Sequence, residues 1–229
     1  PGTAKARPKP TRGREITSER TTNSQTFLNS DGTRTLVSSL EPIFFESDAG
    51  LTKVDNRVVP DPSGGYKNAA NEWTVHFGRL LSEGVRYEVA GESMTISPQD
   101  IADVEPVVGT GDDENVVTYP EAWPGVDLRY EVRGSRVKET LLLKSGDARP
   151  DYDFAVDGDP LGPDGDHPGG LRRQSGGKSS RLSIAPPEVL TRDGKPVDHK
   201  AKPKQNASPR QGGGSKVSLA VDPAWLKHA

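Results

Sequence analysis

The sequence predicts an all-β protein: antiparallel β-sandwiches with long Gly/Pro-rich loops and a disordered basic N-terminal arm. Three observations predict it. Short β-prone runs recur at spacings near ten residues and are separated by Gly-containing turns. Several of these runs alternate apolar and polar residues with period two. No window of ten or more residues carries apolar side chains at helical spacing, beyond one turn from Pro223 to Lys227.

Taken in order, residues 1–15 form a basic, Pro-rich segment, with five Lys/Arg and no acid in its first 14 positions. It reads as an extended arm after a cleaved leader; contact with anionic wall polymer or nucleic acid is the alternative. Residues 16–146 are expected to form a first β-sandwich region. Phe27-Leu28, the Asp31-Gly32 turn and Thr35-Leu36-Val37 predict one hairpin. Pro42 to Phe45, Asp48-Ala49-Gly50 and Leu51 to Asp55 predict a second. Trp73-Thr74-Val75-His76-Phe77 places Trp73, Val75 and Phe77 on one face, and Val85 to Val89 and Met94 to Ile96 alternate likewise.

Residues 98–114 are acidic and read as a loop. Asn115 to Tyr119 reads as a strand, Pro120 to Gly125 as a bend, and Val126 to Val132 as an alternating strand. Gly134-Ser135 then turns the chain into Val137 to Leu143. Residues 147–229 are expected to form a second, loopier β region that completes or packs on the first. Its strands are placed at Tyr152 to Val156, Arg181 to Ile184, Glu188 to Leu190 and Val217 to Val221. A hairpin tip is expected at Thr191 to Val197 and a mobile linker at residues 199–215.

Composition narrows the chemistry. Hydrophobic residues make up 31% of the 229 positions and charged residues 28%. The apolar share lies below the roughly 45–50% of an ordinary globular domain, so part of the chain is expected outside a core. The net charge of −3 gives no reason to expect nucleic-acid binding. The absence of Cys excludes disulfides, thiolate nucleophiles and Cys-ligated zinc. No apolar run approaches the ~20 residues of a membrane span, so a soluble chain is expected.

Four histidines occur, His76, His167, His199 and His228, without a His-Glu-x-x-His spacing. No Gly-x-Ser-x-Gly elbow is present, and the Gly-rich stretches do not open helices that would cradle phosphate. Asp157, Asp159, Asp164 and Asp166 lie on Gly-containing turns of the kind calcium uses, but without the EF-hand spacing; a solvated turn is the competing reading. The run Gly111-Asp112-Asp113-Glu114 makes the same suggestion more faintly. A glycosidase needs two facing carboxyls, for which Asp127 and Glu139 are the candidates. An Arg129–Glu139 cross-strand ion pair accounts for the same residues structurally. Among the tryptophans, Trp73 reads as core, whereas Trp123, beside Tyr119, is the candidate exposed platform for stacking on sugar.

Tyr119-Pro120-Glu121-Ala122-Trp123-Pro124-Gly125-Val126-Asp127-Leu128-Arg129-Tyr130-Glu131-Val132, with Gly134 and Val137-Lys138-Glu139, resembles a signature of bacterial wall-associated proteins. These are the DNRLRE-domain and Rhs-repeat (YD-repeat) proteins of polymorphic-toxin type. The runs Glu19 to Phe27 with Asp31-Gly32, Glu41-Pro42-Ile43 with Val54-Asp55-Asn56, and Val221 to Leu226 are similar to further stretches of that family in the same order. Leu51-Thr52-Lys53 departs from it, where a Trp usually precedes the Val-Asp element.

The resemblance implies the N-terminal β region of a longer secreted or wall-associated protein, in which catalysis belongs to a C-terminal domain. It carries over no catalytic residue, cofactor or metal. Pro124, Gly125, Val126, Asp127, Leu128, Tyr130, Lys138 and Glu139 become fold determinants, and the partner becomes the rest of the same polypeptide or assembly. A carbohydrate-binding module for cell-wall or host polysaccharide is the second expectation, and a glycosidase the third.

Overall fold

The computed structural model describes residues 11–175, 178–191, 194–197 and 203–227. It is all-β with antiparallel sheets, as expected. The chain divides into two compact units, Pro1–Asp55 with Ala70–Glu72, and Asn56–Ala69 with Trp73–Ala229.

The first unit holds a three-stranded sheet, β1 (Arg12–Glu15), β2 (Ser24–Asn29) and β3 (Arg34–Ser38), in that order. β1 corrects part of the expected arm: Arg12 to Glu15 pair with Asn29 and Phe27 of β2. Residues 1–10 of that arm lie outside the described residues. At the β2–β3 turn Asp31 Oδ1 accepts the backbone N–H of Thr33 at 3.0 Å, and Gly32 takes φ +80°. That conformation suits Gly, which explains the Asp-Gly signal. The second hairpin, β4 (Phe44–Ser47) and β5 (Gly50–Lys53), also follows the expectation. Arg20 donates to both Glu15 oxygens (2.6 and 2.8 Å) and lies 4.8 Å over the Phe44 ring, joining the two hairpins.

The second unit is a sandwich. One sheet combines β6 (Asp55–Pro60), β7 (Tyr66–Ala70), β8 (Trp73–Phe77), β9 (Val85–Val89) and β10 (Glu92–Pro98) with three later strands. The facing sheet is β11 (Val107–Val108), β12 (Val116–Trp123), β13 (Val126–Val132) and β14 (Val137–Leu143), in sequence order. The chain then returns as β15 (Asp151–Asp157), forms a small sheet from β16 (Leu161–Pro163), β17 (Leu171–Ser175) and β18 (Lys178–Ile184), and ends with β19 (Lys204–Pro209) and β20 (Ser215–Ala220). The large sheet has the order β19-β20-β15-β10-β9-β8-β7-β6, so the region after residue 147 completes the same sheet.

Period two builds the core. Val75 and Phe77 of β8 are buried with Val85, Met94, Tyr152, Phe154, Val156 and Val217, and the facing sheet contributes Val126, Leu128, Tyr130 and Val132. The Phe77 and Tyr130 ring centres lie 5.6 Å apart across the sheets. Burying each such side chain contributes on the order of 1.5–3 kcal/mol. Trp73 is partly buried against this core, and its Nε1 donates to Gly134 O at 3.1 Å.

Two loop expectations and one strand expectation need correction. Lys204–Pro209, within the supposed linker, is β19 and pairs along the whole of β20. Within residues 98–114, Val107–Val108 pairs with β12 and Gly111–Asp113 forms a 3-10 turn. The strand placed at Glu188 to Leu190 reduces to one bridge, Leu190 with Pro196. The terminal turn, α1 (Pro223–Leu226), is present; Asp222 accepts the Ala224 N–H at 2.8 Å and Leu226 is buried. Among the described residues no helix is long and apolar enough to cross a membrane.

Candidate functional site

The motif residues singled out by sequence, Tyr119 to Tyr130 with Lys138 and Glu139, lie on the β12–β13–β14 meander. Trp123 pairs with Val126, so Pro124-Gly125 is a two-residue turn, with Gly125 at φ +73°. Pro fixes the first turn position and Gly accepts the positive φ of the second. The expected bend at Pro120 to Gly125 is therefore shorter, because β12 runs on to Trp123. A bulge interrupts it between Tyr119 and Trp123, with Glu121 at φ +52°. Such a conformation is costly for a side chain larger than Gly, and its surroundings must hold it.

Lys144, Asp127 and Glu121 hold it. Asp127 Oδ1 accepts the backbone N–H of Glu121 at 2.8 Å, and Glu121 Oε2 accepts the Gly125 N–H at 2.9 Å. Lys144 Nζ bridges both carboxylates, at 2.5 Å from Glu121 and 2.7 Å from Asp127. Lys144 and the Gly125 N–H hold the Glu121 carboxyl below its ordinary range. Burial pushes the Asp127 carboxyl up, but Lys144 and the Glu121 N–H outweigh it and keep it low.

The bulge overturns the sugar-platform expectation. It turns both Ala122 and Trp123 inward, and Trp123 and Tyr119 are 0% exposed. Trp123 stands edge-on to Tyr152 (5.0 Å) and Phe154 (5.9 Å), and its Nε1 donates to Gln99 O at 2.9 Å. The Tyr119 hydroxyl donates to Gly78 O at 2.9 Å. Neither ring offers a face to a ligand.

The carboxylate pair and the ion pair are corrected together. Across β13 and β14, Arg129 faces Thr140, and Glu139 faces Tyr130. Glu139 therefore points inward with the buried Tyr130, while Asp127 and Arg129 point to the opposite face. Asp127 and Glu139 thus do not share a cleft. Arg129 contacts Asp113 at 3.3 Å instead of Glu139. Lys138, opposite Glu131, is exposed on the outer face.

The four turn aspartates do not converge on one cation site; each meets an arginine. Asp157 contacts Arg210 at 2.9 Å and Asp159 contacts Arg173 at 3.0 Å. Asp164, whose side chain is 1% exposed, receives both Arg172 Nε and Nη2 at 3.0 Å, and Arg172 also reaches Asp166 at 3.1 Å. Arg172 foremost, with the Asp166 N–H and His167 also acting against burial, lowers the Asp164 carboxyl to about 2. Among the described residues no three His, Asp or Glu side chains gather as a metal site.

The surroundings of two polar residues, His76 and Glu139, were not legible in the sequence. On the outer face of the large sheet His76 lies between carboxylates, Nδ1 at 2.5 Å from Asp61 and Nε2 at 3.2 Å from Glu88. The Ser63 N–H and hydroxyl and His76 hold the Asp61 carboxyl below its ordinary range against burial. Both nitrogens of the ring are engaged, leaving neither aimed at a nucleophile. His167 contacts Asp164; His199 and His228 lie outside the described residues. The second residue is Glu139, whose carboxyl burial raises to about 7, with Tyr130 acting in opposition. Alternation along Val137 to Leu143 was a signal that could have turned it inward.

Surface depressions of about 250 Å3 and about 240 Å3 occur around Val58, Gly109, Thr110 and Glu114, and around Gln99, Asp100, Asp153, Lys216 and Arg210, the partner of Asp157. Comparison with family models, with curated proteins and with solved structures gave no match.

Proposed function

We propose that the chain is a non-catalytic structural module of a longer secreted or wall-associated polypeptide of Rhs-repeat-like type. Its partner is the rest of that polypeptide or assembly. The observation that carries this reading is the employment of the Tyr119-to-Asp127 motif. Each conspicuous side chain in it is spent on the fold: Tyr119 and Trp123 in the core, Glu121 and Asp127 on the bulge, Pro124-Gly125 on the turn. The order of the family-like segments in the sequence supports the placement in a larger wall-associated protein.

Co-sedimentation of the chain with insoluble cell-wall polysaccharide tests the reading against glycan recognition. The structural reading expects no saturable binding, and a Tm rise on mixing with the segment that follows it in its polypeptide. Saturable wall binding without that Tm rise would replace it by the carbohydrate-binding reading.

A further inference from the structure

The sheet of the first unit ends in β3, which is bonded to β2 on one side and to no strand on the other. Its ladder shows which backbone groups are free. The Asn29 N–H donates to Thr33 O and the Ser39 N–H to Asn23 O, so Thr35 and Val37 between them exchange hydrogen bonds with β2. Arg34, Leu36 and Ser38 therefore turn their N–H and C=O groups outward. The far side of β2 agrees: Thr26 faces Leu36, and its C=O accepts the Ile16 N–H at 2.8 Å instead. Among the described residues none bonds the outward groups of β3. Leu36 is 65% exposed, and Leu28, on the same face one strand in, is 43% exposed.

An open edge invites another strand unless charge, Pro or shortness blunts it. Other edges of the molecule are blunted in these ways. β14 carries Lys138 and the inward-facing Glu139, β19 carries Lys204 and Pro209, and β11 has two residues. β3 has one charged residue, Arg34, and Glu19 holds its guanidinium at 2.7 Å. Neither a Pro nor a bulge interrupts Arg34 to Ser38.

We propose that β3 is a self-association edge: two copies of the chain pair antiparallel through β3, about a two-fold axis at Leu36. The free groups select both the partner and the register. A second β3 offers the same three outward residues in reverse order. Arg34 then meets Ser38 of the other copy, and Leu36 meets Leu36. Each such pair exchanges two hydrogen bonds, about six across the seam. The side chains match as well. The exposed Leu36 is covered by its own copy, Thr35 lies opposite Val37, and no like charges face each other. Moving the axis to Arg34 sets guanidinium against guanidinium, and moving it to Val37 leaves Leu36 opposite Ser38. The contact is isologous and closes at two copies, giving one sheet in the order β1-β2-β3-β3-β2-β1. A seam of one short strand is small, so the pairing is reversible. This partner is additional to the rest of the polypeptide and does not depend on it.

The chain has no Cys, so a single introduced thiol reports the pairing. At the axis the two Cα atoms of position 36 lie about 5.5 Å apart, within the roughly 4.4–6.8 Å that a disulfide spans. Mild oxidation of the full chain carrying Leu36→Cys should give a disulfide-linked dimer. Leu28→Cys, one strand away from the seam, should stay a single chain. In sedimentation the wild-type mass should rise twofold with concentration. Leu36→Lys, which sets like charges at the axis, should hold the mass at one chain with an unchanged Tm. Absent cross-linking at Leu36→Cys, equal cross-linking at both positions, or a wild type that stays single at every concentration overturns the proposal. So does self-association that survives Leu36→Lys.

Discussion

Asp127 Oδ1 accepts the backbone N–H of Glu121 at 2.8 Å, across the Pro124-Gly125 turn, while Glu121 sits at φ +52°. A short acidic side chain on one strand thus fixes an unfavourable backbone conformation on its neighbour. Asp127→Ala removes that acceptor and one partner of Lys144, and should cost about 1–2 kcal/mol in urea denaturation. Asp127→Asn keeps an acceptor for the Glu121 N–H and should lose less. Equal losses would show that the Lys144 charge pair, rather than the backbone bond, holds the bulge.

Gly125 and Gly65 make different demands. At Gly125 an added Cβ would meet nothing within 4 Å, so Gly125→Ala should cost only the strain of a positive φ, about 1 kcal/mol. At Gly65 the same atom would come 2.1 Å from Phe77 O. Gly65→Ala must displace the β7–β8 backbone, and its Tm should fall well below that of Gly125→Ala. Comparable Tm values would mean the β7–β8 end yields easily.

Acid should loosen the small β16–β18 sheet. The Asp164 carboxyl is lowered to about 2, foremost by Arg172. A lowered group stabilises the fold above its unfolded value, near 3.8, and that contribution is lost as pH falls toward 2. Protection of β17 amides should therefore drop between pH 4 and pH 2, and Asp164→Asn should remove much of that pH dependence. An unchanged pH dependence in Asp164→Asn would assign it to another carboxylate.

The fold class was legible because its signals are local. Asp31-Gly32 names its own turn, and Trp73 to Phe77 displays its inward face by alternation. What stayed hidden depended on partners distant in sequence. Lys204–Pro209 has no β-branched or aromatic residue, and becomes a strand because β20 offers it a ladder. The Arg129–Glu139 pairing was misjudged because the register is set by the four-residue connection between Val132 and Val137. Trp123 was misplaced for a related reason. A bulge held by Lys144, some twenty residues away, sends two successive side chains inward, which alternation does not anticipate.

The account rests on Trp123 being a core residue, so its removal is the most direct test. Equilibrium unfolding of Trp123→Ala in urea, beside the wild type and with wall co-sedimentation of both, should show a loss of about 3–5 kcal/mol. Neither protein should bind wall polysaccharide. Unchanged stability, with wall binding present in the wild type and absent in Trp123→Ala, would contradict the account and restore Trp123 as a sugar platform.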